Sequence, residues 1–297
     1  MSRIRNLLAR QSFVELSARE RASVLLDGGS GRELAGRFDR MVSPWLVRQE
    51  IVPQSDDGVV IMKGTVDGKP VVVSALDGGF QGGSLGEAGG AKMAAALEMA
   101  VRDNQNGVRT AAVLLLETGG VRLQEANLGL AAIAEIQAAI VALRQYVPVV
   151  AVIAGSVGCF GGMSIAAGLC SHIVMTPEGR LGLNGPQVIE QEAGVEEYDA
   201  KDRVLIWGLC GGRQRYDSGL ADVCVADDVF QIRQSVAACV QGRVAGQGRY
   251  AAGHFYLSCL NGVDTEQQAE PEDVLAAYGR SGHESRETDR QAGQNLV

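Results

Sequence analysis

The chain has 297 residues, a formal net charge of −8, and no apolar run approaching the ~18 residues that a membrane-crossing helix needs. That acidity, with no Lys/Arg cluster anywhere, excludes a nucleic-acid partner, because neutralising phosphates takes a concentrated basic surface. Six cysteines, at 159, 170, 210, 224, 239 and 259, form no CxxC pair, so neither a zinc ribbon nor a thioredoxin-type motif is present.

The length suits one large domain with a substantial core. Glycine is abundant, 39 residues against a typical share of about 7%, but spread through apolar stretches as in a folded, loop-rich enzyme. Isolated cysteines point to buried thiols in a reducing compartment. The N-terminus, MSRIRNLLARQSF, has no signal-peptide core, and a cytoplasmic location is expected. The three histidines, 172, 254 and 283, are scattered, and no metal site is expected.

Residues 1–50 read as a helical lead-in. SFVELSARERASVLLD alternates apolar and charged positions at helical spacing, with Ser17 placed as N-cap and Glu20 three residues on. Next, VVIMKGTVDG and KPVVVSALD meet at Asp67-Gly68, a hairpin signal. The glycine-rich GGFQGGSLGEAGG then opens a helix over KMAAALEMAVRDN, whose apolar residues recur at three and four. A strand (AAVLLLE), a long helix (LQEANLGLAAIAEIQAAIVALRQY), a strand (VPVVAVIAG), a short helix (GGMSIAAGLC) and a strand (SHIVMT) follow. Such alternation predicts an α/β fold with right-handed crossovers and parallel pairing. The long helix is apolar on nearly every face, which suits burial between layers or at a subunit interface. Beyond residue 176, PEGRLGLNGPQVIEQEAG reads as turns, DAKDRVLIWGLC and VFQIRQSVAACVQGRV as helices, and ADVCVAD as a short strand. The main domain is expected over residues 51–260, and residues 261–297 as an acidic, polar tail that is mobile or docks on a partner.

Two glycine pairs stand just past apolar strands: Gly119-Gly120 after AAVLLLET, and Gly161-Gly162 shortly after VVAVIAGS. Without Cβ atoms, backbone N–H groups at two such turns can converge on one oxygen and hold developing negative charge, an oxyanion hole for an acyl group. The alternative is that the glycines only allow tight strand-to-helix turns. Arg122 is open to two readings, a carboxylate or phosphate contact or a structural partner of Glu125. Ser84 caps a helix start in the plainest reading, and Glu87 and Glu117 are given no catalytic proton. Cys159 lies in the second turn with no histidine nearby in sequence, and reads as a structural thiol.

Residues 70 to 225 resemble the carboxyltransferase branch of the crotonase superfamily, in particular the β subunits of biotin-independent malonate decarboxylases. The resemblance rests on FQGGSLGEAGGAKM at 80 to 93, ETGGVRLQEANLGL at 117 to 130, and GSVGCFGGMSIAAGLCSHIVMTPEGRLGLNGP from Gly155 to Pro186. Acetyl-CoA and propionyl-CoA carboxyltransferases share a looser version. The bacterial acetyl-CoA type also carries an N-terminal zinc ribbon, which a chain whose first cysteine is Cys159 cannot form.

The resemblance implies a crotonase (ClpP-like) spiral of ββα units of the carboxyltransferase type. It implies decarboxylation of malonyl-S-acyl carrier protein to acetyl-S-acyl carrier protein and CO2 through an enolate. Gly119, Gly120, Gly161 and Gly162 would form the oxyanion hole, and Gly83, Ser84, Gly86, Arg122 and Ser156 would lie along the substrate arm. No cofactor is expected on this chain; a phosphopantetheine-like, dephospho-CoA-derived arm would come with the carrier protein. Implied partners are a homologous γ subunit sharing the active site, the acyl carrier protein and its transferase subunit. Met163-Ser164 stands where enoyl-CoA hydratases carry an acid, which disfavours hydration. Two other roles remain open: carboxyl transfer between an acyl thioester and biotin, and a non-catalytic scaffold for the γ subunit.

Overall fold

The computed structural model describes residues 10–39, 41–48, 50, 57–125, 127–244, 249–264 and 270–278. Helix α1 (Ala18–Leu25) starts on the expected box: the Ser17 side chain accepts the Glu20 N–H while the Glu20 carboxylate accepts the Ser17 N–H. Strand β1 (Arg32–Ala35) and the short α2 (Pro44–Arg48) follow. Strands β2 (Val59–Val66) and β3 (Lys69–Leu76) form the predicted hairpin. Its turn residues Asp67 and Gly68 have φ of 46° and 74°, the pair of positive values that matches the strands' twist.

From β3 the chain alternates helix and strand: α3 (Glu87–Gln105), β4 (Ala111–Leu115), α4 (Asn127–Leu143), β5 (Val149–Ile153), α5 (Gly162–Leu169) and β6 (His172–Met175). Three helices, α6 (Pro186–Ala193), α7 (Arg203–Cys210) and α8 (Gly212–Asp217), lead to β7 (Val223–Cys224). Helices α9 (Val229–Val240), α10 (Gly253–Leu260) and α11 (Pro271–Tyr278) complete the described chain.

The seven strands lie in one sheet in chain order, antiparallel from β1 to β3 and parallel from β3 to β7. Every residue of β4 and β5 is buried, as expected of parallel strands covered on both faces. Each fully buried Val, Leu or Ile there contributes about 1.5–3 kcal/mol.

After each of β3 to β6, a short extended segment precedes the next helix. These segments pair with one another through single bridges, Leu85 with Val121, Thr118 with Cys159, and Cys159 with Leu181. The second, short layer makes each turn of the chain a ββα unit, and the units stack as the expected crotonase-type spiral. Helix α4 buries Gly129, Ala132, Ile133, Ile136, Ala139, Ile140 and Leu143 and leaves Leu130 half exposed. Its apolar character thus serves a core face and an uncovered one.

Three parts add to or depart from the sequence reading. In the described part of residues 1–50, Phe13, Ala18, Ala22 and Leu25 pack into the main core, and β1, a strand not read from the sequence, joins the sheet. Arg32–Ala35 carries no β-branched residue; it is an exposed edge made by pairing with β2. Residues 186–193, read as turns, form α6 with Pro186 in its first turn, where the missing N–H costs nothing. Of the expected tail 261–297, residues 271–278 form α11, with Pro271 against Gly208 and Tyr278 beside Tyr256 (ring centroids 6.4 Å). Residues 265–269 and 279–297 lie outside the described residues.

Candidate active site

The two glycine pairs occupy the extended segments past the C-terminal ends of β4 and β5, the end of a parallel sheet where ligands ordinarily bind. The first turn is held by buried side chains together with main-chain bonds. Glu117 is buried and ion-paired with Arg21 from α1, whose Nε donates to the Phe13 carbonyl (3.0 Å). The Thr118 N–H donates to Gly158 O (2.7 Å), and its carbonyl accepts from the Phe160 N–H (3.0 Å). Its hydroxyl accepts the Gly120 N–H (3.0 Å). The Gly119 N–H donates to Gly82 O (2.9 Å), and Gly120 O accepts from the Leu85 N–H (2.9 Å).

The second turn is held by backbone. The Cys159 N–H donates to Arg180 O (2.8 Å), the Gly182 N–H to Cys159 O (3.2 Å), and the Gly161 N–H to Leu183 O (2.7 Å). Gly161 caps α5 with φ 63° and ψ −149°, a conformation essentially confined to glycine. Arg180 adds the main side-chain support. Its Nη2 donates to the carbonyls of Ser156 (2.6 Å) and Val157 (3.2 Å), and its guanidinium lies over the rings of Trp207 (4.8 Å) and Phe160 (5.6 Å).

The turns meet backbone to backbone. A Cβ on Gly161 would stand 3.1 Å from Gly120 Cα and 3.9 Å from Val121 N; one on Gly120 would stand 3.5 Å from Gly161 Cα. The two turns therefore touch, but most of the expected N–H donors are engaged elsewhere. The N–H groups of Gly119, Gly120 and Gly161 are spent on Gly82 O, Thr118 Oγ1 and Leu183 O. Of the four glycines only Gly162, at the first position of α5, has an N–H with no acceptor among the described residues. The Val121 N–H, one residue past the first pair, is in the same condition.

The residues expected along the arm divide. Gly83 (φ 67°) is buried, and a Cβ there would collide with Glu117 O, so this glycine seats the 80–86 loop under the first turn. Gly86 lies against the Glu125 carboxylate. Arg122 is 7% exposed and pairs with Glu125 (3.1 Å) while its Nη2 donates to Ser84 O (2.9 Å) and its Nε to Ser84 Oγ (3.4 Å). This is the structural reading of Arg122. Ser156 is exposed beside the second turn.

Cys159 is fully buried, and loss of hydration raises its thiol pKa well above the ordinary range, which fits an inert thiol. His172 begins β6, at the opposite end of the sheet from the turns; burial lowers its pKa. Glu87 donates its N–H to Glu125 (2.7 Å) and accepts from the Ser43 hydroxyl, a structural pattern. Among the described residues no group of three or more His, Cys, Asp or Glu is placed to hold a metal, and no helix is long and apolar enough to cross a membrane. Sequence reasoning missed Thr118, Val121 and Arg180. For Thr118 a signal existed, since a hydroxyl two residues before a turn glycine is placed to accept its N–H. Val121 and Arg180 gain their roles from partners distant in sequence.

Residues 13–241 match the carboxyl transferase domain family. The malonyl-S-ACP:biotin-protein carboxyltransferase MADC of Malonomonas rubra is 36% identical over 291 residues, 94% of this chain and 92% of that protein. A chain of a Pseudomonas malonate decarboxylase hetero-tetramer, solved in complex with malonate, is 61% identical with a TM-score of 0.87, covering 93% of this chain and 100% of that one. A chain of the Pseudomonas malonate decarboxylase MdcD-MdcE hetero-dimer is 57% identical with a TM-score of 0.72, covering 86% and 98%.

Proposed function

This chain belongs to the carboxyl transferase domain family, and from that premise we propose that it serves as the β subunit of a malonate decarboxylase. The observation that carries the reading is the contact between Gly120 and Gly161, which brings Val121 N within 3.9 Å of a Cβ position on Gly161. The N–H groups of Val121 and Gly162 are then the two donors for one thioester oxygen.

When the C–C bond to the carboxylate breaks, its electron pair enters the thioester as an enolate, and negative charge develops on that oxygen as CO2 leaves. Preorganised N–H donors are worth about 2.7–4 kcal/mol each in such a site. The dipole of α5, whose N-terminus is Gly162, adds partial positive charge at the same point. Gly119, Gly120 and Gly161 serve by allowing the close approach. Protonation of the enolate gives the acetyl thioester.

The malonyl group arrives on an acyl carrier protein, through a phosphopantetheine-like arm charged by a transferase subunit; Ser156 is exposed where that arm would enter. A homologous γ subunit closes the site. Support comes from an uncovered apolar rim beside the turns, with Leu123 82%, Leu183 60% and Ile165 51% exposed. The hetero-tetramer and hetero-dimer of the Pseudomonas relatives agree with such a partner. All six cysteines are free thiols, in keeping with the cytoplasm.

Transfer of the carboxyl group to a biotinyl protein is the second reading, favoured by the 36% identical relative; the two chains at 57–61% are malonate decarboxylases and outweigh it. Incubating the assembled complex with malonyl carrier protein, with and without a biotinyl protein, separates the two. Stoichiometric CO2 release without biotin is expected. Release that requires biotin, with carboxybiotin formed, would reverse the assignment.

A further inference from the structure

Thr118 is completely buried and touches both turns with all three of its polar groups. Its N–H reaches Gly158 O (2.7 Å) and its carbonyl takes the Phe160 N–H (3.0 Å), both in the second turn. Its hydroxyl takes the Gly120 N–H (3.0 Å) in the first, and Thr118 Oγ1 lies 3.4 Å from Gly120 O. The side chain thus holds the peptide group before Gly120 and touches the one after it, which carries the Val121 N–H and is also held by the Leu85 N–H on Gly120 O (2.9 Å).

We infer that the Thr118 hydroxyl is a positioning group for the reaction: by occupying the Gly120 N–H it sets the following amide, Val121 N–H, toward Gly161 and the substrate oxygen. The inference rests on the decarboxylase reading and extends it to a residue that does not touch substrate. The physical chain is short. The backbone contacts of Thr118 register one turn on the other, and any residue could make them. The hydroxyl is the acceptor for the Gly120 N–H, and it shares the hold on Gly120 O with the Leu85 N–H (2.9 Å). Without the hydroxyl, the buried Gly120 N–H must turn to find another acceptor, and because Gly120 has no side chain and a φ of 118°, that turn tilts the Val121 amide against its remaining tether, the Leu85 N–H on Gly120 O. Because that amide meets the enolate oxygen more strongly than the ground-state thioester carbonyl, its misalignment lowers kcat and leaves KM nearly unchanged.

The test compares Thr118→Val, which keeps the shape and removes the hydroxyl, with Thr118→Ser, which keeps the hydroxyl. Both are made in the assembled hetero-oligomer with malonyl carrier protein as substrate. We expect kcat to fall about 10- to 100-fold in T118V, the scale of a misplaced catalytic group, with KM within about twofold and the complex intact by size exclusion. T118S should hold kcat within about threefold. Equal kcat in T118V and the unaltered protein, or equal losses in T118V and T118S, overturns the proposal. If T118V fails to assemble, Thr118→Ala is judged by the same criteria, and failure of both to assemble makes the residue purely structural and overturns it too. No CO2 release from the unaltered complex would instead sink the decarboxylase reading itself.

Discussion

The two glycine turns meet at one point, yet the balance of side-chain and main-chain support differs between them. Around the first, buried side chains reinforce the main-chain bonds to Gly82, Leu85 and Gly158: Arg21 on Glu117, Arg122 on Glu125, and the Thr118 hydroxyl on Gly120. The second hangs on main-chain bonds to residues 180–183, with Arg180 as a partly buried brace. A turn fastened by side chains breaks when one residue changes. A turn fastened by backbone breaks only where a substitution changes the path of the chain.

The largest effect is therefore expected from Arg21→Met. It leaves Glu117 as an uncompensated buried charge, both side chains being under 10% exposed, and loss of one partner from such a pair costs about 3–5 kcal/mol. Arg122→Met should cost a similar amount, since Arg122 and Glu125 are equally enclosed. Denaturant unfolding measures both. If Arg122 instead gripped the substrate, its removal would raise KM with stability unchanged, and the contrast between the turns would lose half its basis.

In the second turn the comparable break is Gly161→Ala. The φ and ψ of Gly161 are closed to side chains, and the new Cβ would press on Gly120 at 3.1 Å. Loss of one properly placed donor corresponds to about 2.7–4 kcal/mol in the barrier, so kcat should drop by two to three orders of magnitude. Wild-type kcat in an assembled G161A complex would show that the two turns need not touch.

What the sequence made legible follows the same division. The hairpin at Asp67-Gly68, the Ser17 and Glu20 box and the alternation of strand and helix depend on residues adjacent in the chain, and all are found where read. The turns could be located for the same reason. Which amides remain unengaged could not, because Gly82 O and Leu183 O decide it, and they arrive from 37 and 22 residues away along the chain. Strand β1 was hidden because its pairing partner, not its composition, makes it a strand.

A smaller effect should come from Arg180→Met. The methionine keeps much of the packing between Phe160 and Trp207 but loses the bonds to Ser156 O and Val157 O. Hydrogen bonds from charged groups are worth about 1.5–3 kcal/mol, and partial exposure places this one at the lower end. A kcat decrease of a few-fold is expected, since the main-chain bonds to Leu183 and Arg180 O survive. A loss as large as that of G161A would mean that the second turn, too, depends on a side chain.

Cys159→Ala should do least, and for that reason it tests the contrast most sharply. The residue sits within the second turn, bridged to Thr118 on one side and Leu181 on the other, but those bridges are main-chain and pass through alanine unchanged. Its thiol is fully buried, and the low-dielectric surroundings that raise its pKa also keep the reactive thiolate scarce at pH 7 to 9. Two outcomes follow together: C159A retains kcat within about twofold, and in the native protein Cys159 resists alkylation until the chain unfolds, as mass spectrometry of labelled peptides would record. Rapid labelling of Cys159 with parallel loss of CO2 release that C159A escapes would mean that the second turn opens to solvent. Main-chain bonds would then be holding it far less firmly than side chains hold the first.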